Sequence, residues 1–123
     1  HLRQARTVFS EAGVPSAHLR LIQGDALQVL PRLNLGSYDL VLVDADAVNL
    51  LDCFEHALQI VRPGGTVLVP NAFAHGRVTD PAARDEVTQN MRDLLTTVAE
   101  SSAIAPVLSP AGDGLLMLTR LEV

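Results

Sequence analysis

The chain has 123 residues, 48% of them apolar, which is enough for one domain with a buried core. Its net charge is −5, and its nine basic residues are scattered singly along the sequence. This pattern excludes a basic surface for nucleic-acid binding and a polybasic patch for membrane binding. All nine are arginine, and the absence of lysine excludes any mechanism that needs a lysine ammonium from this segment.

The cysteine content indicates the cellular compartment of the protein, and the first residues indicate where the chain begins within it. Cys53 is the single cysteine and cannot form an internal disulfide, and the sequence shows no signal peptide or membrane-spanning apolar run. We therefore expect a cytoplasmic protein. Residue 1 is His rather than Met, and residues 1–12 already have a helical pattern, so we expect the chain to begin inside a longer protein.

The first half of the chain alternates predicted helices and strands. Residues 1–12 are predicted to form a helix that stops at Gly13, a typical left-handed end. A strand is predicted at 19–23, followed by a helix over 24–33. The near-continuous apolar run at 38–44 is typical of a strand that is covered on both faces.

The second half continues this alternation and ends in a hairpin. A helix is predicted over 49–62, where the Arg-Pro-Gly-Gly segment breaks it, and a strand follows at 66–70. Asp80 is predicted to be the N-cap, with Pro81 at the first position, of a long helix that ends near Glu100. The closing hairpin is predicted to pair 104–108 with 115–121.

This order of elements predicts an α/β fold. We expect one domain over residues 1–123, with a mostly parallel sheet, helices on both faces and a C-terminal antiparallel hairpin. In such sheets ligands bind beyond the carboxyl ends of the strands. The polar residues that follow the predicted strands are therefore the candidates for a site: Asp25, Asp44, Asp46 and Asn71.

Six short motifs at these positions resemble one family. They are Gly24-Asp25-Ala26-Leu27, Tyr38-Asp39, Val43-Asp44-Ala45-Asp46, Leu58-x-x-Val61-Arg62-Pro63-Gly64-Gly65, Val69-Pro70-Asn71 and Gly112-Asp113-Gly114. Their order, over essentially the whole chain, is similar to that of S-adenosylmethionine (SAM)-dependent O-methyltransferases of the catechol and caffeoyl-CoA type. The resemblance implies a truncated Rossmann-like class I methyltransferase sheet. It also implies that the N-terminal glycine-rich loop and the ribose-binding acid lie outside this chain.

The resemblance further implies roles for individual residues. Asp25 and Ala26 match the loop that lies along the adenine of the cofactor, and Asp46 matches a position near its methionine end. Asp44 matches the carboxylate of the substrate site and is the implied catalytic residue. Asn71 is implied to contact a small hydroxylated acceptor.

Two departures from the family pattern bear on the chemistry. Metal-dependent members use two aspartates and an asparagine, but Pro70 stands where the second aspartate belongs and offers only a backbone carbonyl. Ala47 stands where those members have a lysine. We therefore expect either a metal-independent methyltransferase with SAM as its cofactor or a member that has lost catechol-type activity. We expect the fragment itself to be inactive.

The residues also allow other interpretations. Asp44 and Asp46 are alternatively caps of the helix near Asn49, Asp25 is alternatively a helix cap, and His75 is either an exposed loop histidine or a general base. A receiver domain is excluded because it needs a lysine. Two further alternatives are a non-catalytic methyltransferase-like scaffold and half of a nicotinamide-dependent dehydrogenase.

The missing strands of the family would lie between 19–23 and 38–44, which would leave an open apolar edge on 38–44. An open edge recruits a partner strand. We expect either that 19–23 moves beside 38–44 or that two copies pair into a homodimer at this edge. No nucleic-acid or membrane partner is expected.

Overall fold

The computed structural model describes residues 1–45 and 47–121. Asp46, predicted near the methionine end of the cofactor, lies outside the described residues. The helices are α1 (Leu2–Glu11), α2 (Ala26–Val29), α3 (Leu50–Ile60) and α4 (Glu86–Glu100), and the strands are β1 (Tyr38–Leu42), β2 (Val61–Pro70), β3 (Ile104–Ser109) and β4 (Leu115–Arg120). No helix in these ranges is long and apolar enough to cross a membrane.

The four strands form one mixed sheet in the order β1-β2-β4-β3. β1 and β2 are parallel, with Val41 opposite Val67, while β4 runs antiparallel to both β2 and β3. The crossover between the two parallel strands contains α3, as a parallel connection requires. The predicted α/β class and the closing hairpin are confirmed.

The main core lies on one face of the sheet. Val67 and Leu118 point to this face and are fully buried, and they pack with Phe54 of α3 and Leu94 of α4. The hydrophobic stripes of these two helices are thereby removed from water, which is the main stabilising contribution to such a fold. On the opposite face the side chains of Leu40, Leu42 and Val107 are exposed.

The predicted strand at 19–23 is wrong. This segment follows a short 3-10 helix (Ser16–His18) and pairs with no strand in the part of the chain that the structure describes. β1 has β2 as its one neighbour there, so the expectation that 19–23 moves beside 38–44 is also wrong. An apolar pattern favours a strand only where a neighbour can accept its backbone hydrogen bonds.

The long helix begins at Glu86 rather than at the predicted Asp80–Pro81. Asp85 is the N-cap, and its carboxylate accepts hydrogen bonds from the Thr88 backbone N–H at 3.1 Å and the Thr88 hydroxyl at 2.8 Å. Asp80 caps only a turn, where its carboxylate accepts the Ala82 N–H at 3.0 Å. Both aspartates have a carboxylate that accepts a backbone N–H two or three residues further along the chain. The sequence pattern of an N-cap alone therefore does not show which of them begins the helix.

β2 begins at Val61, earlier than predicted, and the Arg-Pro-Gly-Gly segment lies inside it. Tyr38 pairs with Val61 whereas Leu40 pairs with Thr66, so the extra residues of β2 bulge out between these pairs. The bulge is held by an ion pair between Arg62 Nε and the Asp39 carboxylate at 2.6 Å.

Candidate functional site

A cavity of about 430 Å³ lies at the carboxyl ends of β1 and β2. Parallel strands end at the same edge of a sheet, so the loops that follow them meet there. The turn between β3 and β4 and the first turns of α4 close the cavity from the other side. Its walls are formed by Val43, Asp44, Ala45, Leu50, Pro70, Asn71, Ala74, His75, Arg77, Val87, Met91 and Asp113.

The structure brings together the two predicted substrate-site residues. Asp44 directly follows the buried Val43 at the end of β1, and Asn71 directly follows Pro70 at the end of β2. Both residues line the cavity and both are exposed to it. A carboxylate and an amide therefore face a space of a size suited to a small molecule.

The loop after β2 is held in an unusual backbone conformation. Asn71, Ala74 and His75 have φ angles of 59°, 49° and 57°, the left-handed region that L residues seldom adopt. Each such residue costs on the order of 1–3 kcal/mol, and this conformation persists only where surrounding contacts enforce it. All three residues line the cavity, so the strained backbone and the candidate site coincide.

The contacts that enforce this conformation come from the β3–β4 turn. The His75 backbone N–H donates to both carboxylate oxygens of Asp113, at 2.8 and 3.0 Å. The Phe73 N–H donates to the Asp113 carbonyl at 2.9 Å, and the Ala72 N–H donates to the Gly114 carbonyl at 3.1 Å. From the sequence alone, no role was assigned to Asp113. Its position between two glycines in a turn was the sequence feature that could have indicated a role for its carboxylate.

The His75 side chain is 78% exposed and also lines the cavity. Its Nδ1 atom lies 3.6 Å from the Asp113 carboxylate, a distance for charge attraction that is slightly too long for a hydrogen bond. The two interpretations of His75, a loop histidine and a group of the site, are therefore compatible. Arg77, which sequence reasoning did not single out, lines the same cavity and lies 3.7 Å from Asp85.

A second cavity, of about 240 Å³, lies on the other side of the β1 end. It is mostly apolar, and its walls are Ala26, Leu30, Val41, Leu42, Val43, Asp44, Ala45, Cys53 and Ala57. The segment 43–45 lines both cavities. Ala26 thus faces the second cavity, whereas the Asp25 carboxylate accepts the Leu27 N–H at 3.0 Å and caps α2.

The donor set of the first cavity does not fit a divalent cation well. Hard cations prefer several oxygen ligands, mostly carboxylates, and Pro70 contributes no side-chain donor beside Asp44 and Asn71. The second carboxylate in the cavity wall, that of Asp113, already accepts the His75 N–H with both oxygens. Among the residues that the structure describes, no group of three or more His, Cys, Asp or Glu side chains is arranged to hold a metal ion.

Comparisons with known proteins show which family the chain resembles in sequence and fold. A family model described as O-methyltransferase matches residues 2–121. A relative from Mycobacterium marinum, named "Putative O-methyltransferase", is 42% identical over 120 residues, which are 98% of this chain and 54% of that protein. The chain thus spans about half the length of the curated relatives it matches.

Two solved structures have the same fold. A protein from Corynebacterium glutamicum is 28% identical with a TM-score of 0.92, over 98% of this chain and 56% of that one. The O-methyltransferase TomG from Streptomyces achromogenes, solved in complex with SAM, is 29% identical with a TM-score of 0.83, over 98% and 57%. The family match covers nearly all of the sequence, and the chain belongs to the O-methyltransferase family.

Proposed function

We propose that the full-length protein containing this chain transfers a methyl group from SAM to a hydroxyl group of a small acceptor. The observation that carries this proposal is the meeting of Asp44 and Asn71 in one cavity at the ends of two parallel strands. Membership of the O-methyltransferase family and the likeness to a SAM-bound enzyme support the choice of reaction and cofactor.

The two adjacent cavities suit the two ends of the cofactor. The smaller cavity is mostly apolar and has Ala26 in its wall, which suits an adenine ring. The larger cavity has Asp44 in its wall, and a carboxylate favours the binding of a sulfonium cation. We propose that Asp25 and Ala26 contribute to the adenine end and Asp46 to the methionine end.

SAM supplies an electrophilic methyl group, and the chain itself binds and orients the reactants. Asp44 would accept a hydrogen bond from the acceptor hydroxyl, and the Asn71 amide would hold the acceptor in line. Orientation of two reactants is worth roughly 7–11 kcal/mol of the barrier at best. Leu50 and Met91 contribute apolar surface to the wall of this cavity.

We propose that this reaction does not depend on a divalent metal. Support comes from Pro70, which lines the cavity next to Asn71 and offers no side-chain ligand there. The chain also contains no lysine, the residue that metal-dependent members pair with the cation. No step of the proposed reaction is therefore assigned to a metal.

We also propose that methyl transfer requires the full-length protein and that this chain alone is inactive. The chain spans 54% of the length of its curated relatives, so the rest of a relative's length can carry further contacts to its ligands. The β1 edge would then be covered in one of two ways, by the rest of the protein or by a second copy. For the chain alone we propose a homodimer, because β1 carries the exposed Leu40 and Leu42.

The test is isothermal titration of SAM, with and without Mg²⁺, into this chain and into a restored protein. The restored protein is the chain extended at its N-terminus to the length of its relatives. We expect binding by the restored protein alone, unchanged by Mg²⁺. The variant Asp44→Asn should weaken binding, whereas Asp52→Asn, at an exposed position of α3, should not.

The outcomes of this titration test three parts of the proposal separately: the enzymatic function, metal independence and the need for the full-length protein. Absence of SAM binding by the restored protein would overturn the enzyme reading and favour a non-catalytic scaffold. Binding that requires Mg²⁺ would overturn metal independence and leave the methyltransferase reading intact. SAM binding by this chain alone, followed by methyl transfer in a separate assay, would overturn the proposed need for the full-length protein.

A further inference from the structure

We infer that His75 takes the proton of the acceptor hydroxyl and that Asp113 is its positioning residue. This inference rests on the proposed methyl transfer. It goes beyond the roles given to Asp44 and Asn71, because it assigns the base and the contact that holds the base in place.

The proton needs a destination in this reaction. As the new oxygen–methyl bond forms, the sulfur–methyl bond breaks, the sulfonium becomes a neutral thioether and the acceptor hydroxyl loses its proton. The chain contains no lysine that could take it. Of the four histidines, all in the described part of the chain, His75 is the one that lines the cavity.

The geometry around His75 suits a proton acceptor. Its Nδ1 faces the Asp113 carboxylate at 3.6 Å, which leaves Nε2 as the nitrogen for an acceptor hydroxyl. The imidazole would take the proton at Nε2, and the resulting cation would be stabilised by the Asp113 carboxylate. In structures without substrate such contacts are often long and tighten only in the reactive complex. The imidazolium then returns its proton to water.

The loop conformation gives independent support. His75 has a φ of 57°, in the left-handed region, so the position of this residue depends on the contacts that hold the loop. The Asp113 carboxylate fixes this conformation by accepting the His75 N–H with both oxygens. The same carboxylate therefore sets the backbone of His75 and faces its ring, an arrangement that fixes the imidazole at the cavity.

Other charged groups face the same space. Asp44 lies at the end of β1, and Arg77 follows His75 by two residues. The positive charge of Arg77 disfavours a positive charge on the His75 imidazole. The Arg77 guanidinium also lies 3.7 Å from the Asp85 carboxylate, which offsets part of its charge. The nearest carboxylate to the imidazole that the structure records is Asp113, which makes Asp113 the residue to test beside His75.

The first experiment uses the restored protein with the variant His75→Gly. Glycine adopts a φ of 57° without strain and leaves a gap that free imidazole can fill. With catechol as the acceptor, kcat should fall about 100-fold or more, in the range for loss of a general base. SAM affinity should be unchanged, and added imidazole should restore part of the rate. His18→Gly, which removes an exposed histidine outside the cavity, is the matched control.

The second experiment compares two acceptors. Catechol must lose a proton during transfer, whereas 4-nitrophenol, a much stronger acid, is already largely ionised in the mildly alkaline buffer in which both are compared. Both His75→Gly and Asp113→Asn should slow methylation of catechol much more than that of 4-nitrophenol. Asn at position 113 keeps a carbonyl oxygen for the His75 N–H, so the loop is preserved while the charge is lost.

The outcomes distinguish this inference from the proposed function. If the restored protein binds SAM and methylates catechol, but His75→Gly keeps the full rate, the inference is overturned and the function stands. Equal losses with both acceptors, without rescue by imidazole, would show a merely structural role and also overturn it. A restored protein that binds no SAM would overturn the proposed function and the inference with it.

Discussion

Gly114 lies directly against the ring of Phe73. A Cβ atom added at Gly114 would come within 2.8 Å of Cγ of that ring, closer than real carbon atoms approach. The backbone of Phe73 is also fixed at this point, because its N–H donates to the Asp113 carbonyl at 2.9 Å. The β3–β4 turn and the loop after β2 are thus packed together at one point, beside the candidate site.

This contact predicts a large effect of Gly114→Ala. The residue has a φ of 86°, and a side chain there would add steric overlap to the backbone penalty. We expect a loss of about 2–5 kcal/mol in the free energy of unfolding, from a left-handed penalty of about 1–2 and overpacking of about 1–3. Urea unfolding of the restored protein measures this.

Gly112→Ala is the matched control for that substitution. Gly112 also has a positive φ, of 57°, but a Cβ there would meet no atom within 4 Å. It should show only the backbone penalty, about 1–2 kcal/mol. Equal losses for the two variants would show that the Phe73 contact does not matter.

Arg92 holds the loop before α4. Its guanidinium donates to the carbonyl oxygens of Val78 at 3.1 Å, Ala83 at 2.7 Å, Arg77 at 3.0 Å and Asp80 at 2.6 Å. A lysine cannot reproduce this planar fork. We expect Arg92→Lys to lower the free energy of unfolding by about 1–3 kcal/mol, because carbonyl groups lose their donors.

Limited proteolysis with thermolysin, together with urea unfolding, checks this prediction. Cleavage between residues 77 and 85 should become faster in Arg92→Lys than in the unchanged protein. The control is Arg84→Lys, at an exposed position of the same segment. If both variants are cleaved at the same rate, the guanidinium contacts do not hold this loop.

The N-cap of α4 predicts a pH dependence. The hydrogen bond from the Thr88 hydroxyl, and then that from the Thr88 N–H, hold the pKa of Asp85 below its usual value, and Arg77 adds to this. Because the folded pKa is the lower one, the stabilisation is complete above the ordinary pKa of about 4 and is lost as the pH falls through the folded value.

The test compares thermal unfolding midpoints at about pH 6 and about pH 3, on either side of the ordinary aspartate pKa of about 4. Asp85→Asn keeps an acceptor for the Thr88 N–H but does not titrate, so its midpoint should fall less on acidification than that of the unchanged protein. Identical falls would show that the Asp85 cap contributes nothing to the acid sensitivity.

The exposed side chains of β1 predict self-association of this chain. Leu40 is 56% exposed on an edge strand, and a lysine there should oppose pairing with a second copy. We expect Leu40→Lys to raise the fraction of monomer measured by size-exclusion chromatography with light scattering. Leu35→Lys, at a position 73% exposed outside the strands, should leave it unchanged. A stable monomer of the unchanged chain at high concentration would contradict the proposal.

Much of the fold follows from local sequence. The apolar run that ends at Val43 and the stripe of α3 that includes Phe54 predict a strand and a helix by their periodicity, and the structure has both. The meeting of Asp44 with Asn71 was also predictable, since consecutive parallel strands end at one edge of a sheet. These features need only a pattern and a topology rule.

Other features depended on contacts between distant segments. The segment 19–23 has a strand-like pattern but no neighbour to pair with, and the choice of Asp85 over Asp80 as the helix cap goes with the Arg92 contacts to the preceding loop. His75 and Asp113 are 38 positions apart, and only the packing of the β3–β4 turn against the loop after β2 joins them. The sequence by itself determined the class of fold and the two polar strand ends, because these arise from short-range periodicity. The tertiary structure alone decided the strained loop and its carboxylate anchor, because their stabilising hydrogen bonds exist only after the chain has closed on itself.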